Sequence, residues 1–403
     1  MSKAIPQLDS KHPFVYKTLK TRLPGILERT IEYNKETLTK DQIESIQHFL
    51  KEIVNDAPIR LISDQKEDAK EWNKVLQVCV DKKQTWTTAP WFVWETYVYR
   101  RLLQASQYWD TKLDLFKIEK SKSLIGTEQA LKQRAKISTQ YAGKWDYDTF
   151  RVILFQDLWG NQADGSLFTV DTIAGLGSTK GHGENTDRVL VNDTKSVWNH
   201  LNQPAKQGHR VIFFNDNSGL EIVSDLVLAS YLLHSKKVST VEFYLKPYPY
   251  FVSDANPEDV KDTIEFLISS HDKSMKELGA DLKSLVKANL LKLKKEHFLA
   301  SPLAMSEMPK ALKEDIKSAH LLVVKGDLMY RKMLGDRMHP PQTPFKDIVS
   351  YFPCPIVSLR TCKSPVIVGM TKKVFDELSA EKKDWTCLGL HGTIHFVNSS
   401  SAR

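Results

Sequence analysis

No apolar run in the 403-residue sequence approaches the roughly 18 residues that would suggest a membrane span, so no membrane partner is expected. The opening stretch MSKAIPQLDSKHPFVYKTLK has no continuous apolar segment behind its first lysine and does not read as a secretory signal. A cytoplasmic address is the expectation, with the nucleus left open. Cysteine is scarce: Cys79, Cys354, Cys362 and Cys387 show no short paired spacing, which fits neither a disulfide framework nor a zinc site. The 12 histidines form no HExxH or related pattern, so none is assigned to a metal. A GxSxG elbow is missing as well, which argues against a serine hydrolase.

What is present describes an ordinary globular chain with 41% hydrophobic and 26% charged residues, long enough for two domains. The net charge of +8 is a modest excess of 57 basic over 49 acidic residues. Acidic residues interrupt the basic runs, as at Lys292 to Glu296, which reads as a solvated helix face and not as a nucleic-acid groove. No nucleic-acid partner is expected, whereas a mild positive potential suits a small phosphorylated metabolite.

Residues 1–163 read as helical. Leu19, Leu23, Ile26, Leu27 and Ile31 recur at helical spacing, and Ile43, Ile46, Phe49, Leu50 and Ile53 share a second face. Pro90 fits the first turn of a helix whose sequence, WFVWETYVYRRLLQASQYW, is too aromatic all round to lie at the surface. A further helix is expected from about Asp148 to Trp159. Residues 164–192 read as a flexible linker, with Gly175, Gly177, Gly181 and Gly183 among Ser, Thr and Asn. That glycine-rich stretch lacks a clear strand before it and helix after it, so it is not assigned to nucleotide binding.

In residues 193–403 the period changes. Short apolar runs at 210–214, 241–245, 320–324 and 355–359, with a possible fifth at 393–397, alternate with helices at about 220–235 and 257–278. That alternation predicts an α/β domain with a mostly parallel sheet covered by helices on both faces. The lysine-rich segment at about 280–314 reads as helical.

Ligands of such sheets bind beyond the C-terminal strand ends. Those ends carry Asp216, Asn217, Ser218 and Glu221 after the first strand, and Lys246 and Asp254 after the second. The third is followed by Lys325, Asp327 and Arg331, the fourth by Arg360 and Lys363. Asp216, Asn217 and Asp254 offer hard oxygen ligands for a divalent ion, Mg²⁺, Mn²⁺, Co²⁺ or Ni²⁺. Ser218 opens a helix whose N–H groups could hold phosphate oxygens, while Lys325, Arg331, Arg360 and Lys363 supply cations. Taken singly, each group also suits a turn, a helix cap, a surface ion pair or a covered sheet edge. Their convergence on adjacent strand ends points to a site.

The same residues carry a resemblance. FVYKTLKTRLPGILERTIE (Phe14 to Glu32), PWFVWETYVYRR (Pro90 to Arg101), LWGNQADGSL (Leu158 to Leu167), DNSGLE (Asp216 to Glu221), PYFVSD (Pro249 to Asp254), KGDLMYRKMLGDR (Lys325 to Arg337) and RTCK (Arg360 to Lys363) are similar to motifs of the damage-control phosphatases of subfamily III. The likeness covers nearly the whole chain, and RTCK fits the RTxK signature of that subfamily. It implies an all-helical N-terminal domain followed by a Rossmann-like catalytic domain with a divalent metal on Asp216, Asn217 and Asp254. It also implies substrate contacts from Asp327, Leu328, Met329, Tyr330, Arg331 and Lys363. The implied reaction is hydrolysis of small phosphate esters such as fructose 1-phosphate, in metabolite damage control; a monomer is expected. Two departures stand out: Met329 replaces the usual Asn of KGDLNYR, and Asp164-Gly165 replaces Asp-Leu after LWGN. An S-adenosylmethionine-dependent carboxyl methyltransferase is the alternative, with Glu221 and Asp254 as its cofactor contacts.

Overall fold

The computed structural model describes residues 5–160, 188–204 and 208–398. Gly175 to Gly183, Asp164 and most of the 164–192 segment lie outside them. Among the described residues seven strands form one sheet, in the order β1-β7-β6-β5-β2-β3-β4. They are β1 Val189–Asn192, β2 His209–Phe214, β3 Val238–Leu245, β4 Leu291–Lys295, β5 Leu321–Lys325, β6 Ile356–Thr361 and β7 Gly392–Val397. All neighbours are parallel except β6 and β7. The expected mostly parallel α/β sheet is therefore present, and its five foreseen strands are β2, β3, β5, β6 and β7.

Alternate residues of each strand face opposite sides of a pleated sheet, so a strand apolar throughout serves two cores. In β2, Ile212 and Phe214 join one core, whereas Val211 and Phe213 join the other. The first core is filled mainly by helices before residue 106, Lys40–Val54 and Trp91–Ala105 among them. The second is covered by Glu128–Tyr141, Tyr147–Leu158, Leu220–His234, Pro257–Ser269 and Lys273–Lys287. The N-terminal helices are thus not confined to one side of the sheet.

Trp91–Ala105 buries 14 of its 15 residues, as its all-round aromatic pattern requires. Burial on that scale also traps charge, and each trapped group is paired: Arg100 with Asp64 and Asp68, Arg101 with Glu52, Glu95 with Arg331. Leu220–His234 is likewise buried at 14 of 15 positions, sandwiched between the sheet and other helices.

Two expectations need correction. The 280–314 segment is not one helix: a helix ends at Lys287 and Leu291–Lys295 is the edge strand β4. Leu291 and Leu293 pack inward, while Lys292 and Lys294 both reach Glu242, so the basic run is a charged sheet edge and not a helix face. The segment ending at residue 192 contains β1, which pairs with β7 at the opposite edge through Val189, Val191 and Asn192. Among the described residues no helix is long and apolar enough to cross a membrane.

At the N-terminal ends of the strands three imidazoles stack. His320 lies with ring centroids 3.4 Å from His209 and 4.3 Å from His200. Burial pushes all three below the ordinary histidine range, and repulsion from the neighbouring imidazoles lowers His209 and His320 further, His320 to about 4. The folded state therefore binds fewer protons than the unfolded one, and stability present above about pH 6.5 is lost as pH falls toward 4. Thermal melts across that window should show a steep fall in Tm, and His320→Phe, which keeps the stack but cannot be protonated, should flatten it.

Candidate functional site

The polypeptide leaves β2 and β3 in a way that brings their next residues together. Asn217 lies opposite Asp254 in a short antiparallel bridge. The Ser218 N–H donates to Ser253 O and the Ala255 N–H to Asp216 O, both at 2.7 Å. Phe251 adopts a left-handed φ of 47° in the turn that returns the β3 exit to this bridge. Asn256 then caps the Pro257–Ser269 helix through a reciprocal pair of hydrogen bonds with Asp259. Asp216, Asn217 and Asp254 are therefore neighbours because of backbone pairing.

Asp216 and Asp254 are almost fully buried beside the Lys246 ammonium, which is 3.1 Å from Asp254 Oδ2 and 3.6 Å from Asp216 Oδ1. Lys246 also donates to Asn215 O at 2.7 Å. Despite this cation, burial lifts both carboxyls to about 7, with the charge of Asp216 adding to the effect on Asp254 and that of Glu221 adding to the effect on Asp216. Glu221 is itself raised by burial. Carboxylates so short of positive charge are suited to a hard divalent cation.

Further observations support that fit. Asp216 Oδ1 accepts no hydrogen bond among the described residues. Gly326, at φ 81°, presses so closely on the site that a Cβ there would sit 1.9 Å from Asp216 Oδ2. Asn217 donates from Nδ2 to Asp216 Oδ2 and Glu221 Oε2, each at 2.9 Å, and its Oδ1 accepts from Ser253. A half-turn of that amide exchanges its oxygen and nitrogen, which gives a third hard oxygen beside the carboxylates when a cation takes the place of the donor. Among the described residues no three His, Cys, Asp or Glu side chains could together hold a metal, so a metal here depends on the Asn217 amide.

These groups open into a cavity of about 190 Å³. Of the expected site residues, Asp216, Asn217, Glu221, Asp254, Asp327, Leu328, Arg331 and Lys363 line it. Asp327 accepts from Arg360 Nε at 2.7 Å and from the Lys363 N–H at 3.1 Å, which ties the ends of β5 and β6 together.

The structure does not bring the other expected residues to the cavity. Ser218 lines a neighbouring space, and its N–H is already committed to Ser253. Lys325 is buried with its ammonium on Asp157 Oδ1 at 2.6 Å and Asp225 Oδ1 at 3.0 Å, so it compensates acidic groups beneath the site. Arg360 is fully buried, bound to Asp327 and Ser364 and stacked 4.0 Å over the Tyr330 ring. Tyr330 accepts from the Val368 N–H, and Met329 is fully buried in the first core. The Asn-to-Met departure therefore lies away from the opening. Arg331 does line it, but Glu95 and Asp336 hold its guanidinium at 2.6 and 2.8 Å.

Several contributors escaped sequence reasoning. Lys246 is legible as a strand-end polar residue, yet nothing in the sequence reveals that it sits between two carboxylates. Asp225 carries a clearer signal, an acid one turn beyond Glu221 in a largely apolar helix. Phe14, Arg22, Trp91, Glu95 and Tyr99 come from the N-terminal helices and line the wall facing the strand ends.

Two outcomes follow from this geometry. Gly326→Ala must displace Asp216 and should cut turnover on the order of a hundredfold, read by steady-state kinetics on folded protein. In metal-free protein, Asp216→Asn removes a carboxylate that burial disfavours when charged, so it should raise Tm. The gain should be largest above about pH 7, where the wild-type group is ionised, and vanish toward pH 4, as melts at several pH values would show.

Residues 18–378 match the family model described as the damage-control phosphatase ARMT1-like domain. The chain is 29% identical to damage-control phosphatase ARMT1 of Homo sapiens, over 95% of this chain and 96% of that protein. It is 30% identical to the Bos taurus protein of the same name, with the same coverage. A solved DUF89-family protein from Pyrococcus horikoshii aligns over 89% of this chain and 96% of that one, with a TM-score of 0.46 and 14% identity. Since the family model spans all the strand-end motifs, the chain belongs to the damage-control phosphatase ARMT1-like family.

Proposed function

We propose that this protein is a divalent-metal-dependent phosphatase that hydrolyses small phosphate esters, sugar phosphates such as fructose 1-phosphate among them, in the clearance of damaged or surplus phosphometabolites. The observation that carries the reading is the buried pair Asp216 and Asp254 flanking Asn217, short of positive charge and open to a cavity. Asp216, Asn217 and Asp254 would hold the metal, with Mn²⁺, Ni²⁺, Co²⁺ and Mg²⁺ as candidates. Once bound, such an ion polarises the P–O bond and lowers the pKa of water.

The chain's own groups do the rest. Lys363 lies close enough to depress the Asp216 carboxyl and has no carboxylate partner among the described residues, so its charge is available to a phosphoryl oxygen. Asp327 fixes the backbone from which Lys363 springs. Lys246 keeps the two acids together and stays fully buried, out of reach of substrate. Trp91, Tyr99 and Phe251 keep part of the cavity wall apolar, which strengthens the electrostatic interactions inside it. Glu221 and Asp254, the pair needed for the methyltransferase alternative, line the same cavity, but Glu221 is tied by a hydrogen bond to Asn217, one of the proposed ligands.

Metal-stripped protein should release no phosphate from a sugar-phosphate panel and should recover turnover when one of the four metals is restored. Asp254→Ala should lose bound metal and turnover together. Undiminished turnover in that variant, or no release by wild-type protein with any of the metals, would contradict the reading.

A further inference from the structure

The cavity is lined by three cations, and they are not equivalent. Arg331 is neutralised by Glu95 and Asp336. Lys363 comes from the end of β6 and acts on the Asp216 carboxyl. Arg22 comes from the N-terminal helical wall, near enough to Tyr99 to influence its phenol, and has no carboxylate partner among the described residues. No step proposed above uses Arg22.

The local backbone accounts for its position. Helix Pro13–Lys17 passes into a five-residue π-turn, Thr18–Arg22, before helix Leu23–Asn34 resumes. The Leu23 N–H donates back to Thr18 O, five residues earlier. Pro24 follows, and lacking an N–H it cannot make the ordinary bond to the carbonyl four residues behind. The extra residue rotates the helix register, so Leu19 and Leu23 stay buried in the core while the intervening Arg22 lines the cavity. Such single π-turns inside helices occur disproportionately at functional sites. Beside Arg22, Tyr99 and Phe251 stack with ring centroids 4.3 Å apart.

The geometry points to Arg22 as a specificity-determining residue that grips the end of the substrate opposite the transferred phosphate. This rests on the phosphatase reading of the same site. A planar fork of N–H donors in a cavity also lined by aromatic rings matches a carbon chain or ring whose outward groups are hydrogen-bond acceptors. The substrate class it selects is a phosphate ester of a hydroxylated carbon skeleton, not one of an apolar alcohol. Arg22 touches no reacting atom, so it acts on binding more than on the chemical step.

The test uses full-length, metal-loaded protein and two non-hydrolysable phosphonates, one an analogue of fructose 1-phosphate and one phenylphosphonate. Arg22→Gln should raise the Kd of the sugar analogue about tenfold and that of phenylphosphonate less than about twofold. Arg22→Lys, which keeps the charge but loses the fork, should fall between. With fructose 1-phosphate as substrate the loss should appear in KM with little change in kcat. Equal weakening of both phosphonates, or no change in either, by a variant with wild-type Tm would overturn the assignment. Should Arg22→Gln not fold, Arg22→Lys decides it, since an unchanged ratio of the two Kd values there would also overturn it. A wild-type protein that binds the sugar analogue but hydrolyses no ester would sink the phosphatase reading and leave the role of Arg22 to the Kd values.

Discussion

Two carboxyl groups buried side by side repel one another and lose hydration, and this fold holds Asp216 and Asp254 together regardless. The force that does so is backbone pairing. Asn217 opposite Asp254, with the Ser218 and Ala255 N–H groups bonded across, fixes the spacing of the acids before any side chain contributes. Lys246 supplies part of the missing charge from a wholly buried position. Gly326 closes the arrangement by leaving no room for Asp216 to withdraw. A site so constrained spends stability on holding a charge deficit, and a bound cation is the natural way to remove it.

A second layer of charge lies beneath the first. Lys325 joins Asp157, at the end of an N-terminal helix, to Asp225 on the helix after β2, and Asp225 accepts from Asn215 at 2.6 Å. Burial raises Asp225 far above the ordinary aspartate range, with the Lys325 ammonium opposing it. This network links the helices of the first 160 residues to the strand ends. It also explains why a lysine within a family motif need not face substrate: here the strand directs Lys325 inward, and Lys363 on the next strand end faces the cavity.

The architecture was legible because it is periodic. Apolar runs of strand length, separated by amphipathic or wholly apolar helices, disclosed five of the seven strands and the parallel layout. The two edge strands were not legible for opposite reasons. β4 hides two leucines among lysines, and β1 is four residues long at the end of a polar, glycine-rich segment. At the site, the positions of Asp216, Asn217, Asp254, Asp327 and Lys363 follow from the rule that ligands gather beyond parallel strand ends. The direction of each side chain does not follow from that rule, which is why Lys325, Arg360, Tyr330 and Met329 were expected at a cavity that they support from behind. The wall that includes Arg22, Trp91 and Tyr99 comes from residues more than 100 positions away in sequence, a separation that local pattern cannot bridge.

The most direct test of the account is the position of the metal itself. Crystals of the protein grown with Mn²⁺ and examined by anomalous scattering should show one strong peak within bonding distance of Asp216, Asn217 and Asp254, with the Asn217 amide oxygen turned toward it. A peak elsewhere in the cavity, or none while the two carboxyl groups remain on Lys246, would contradict the central claim.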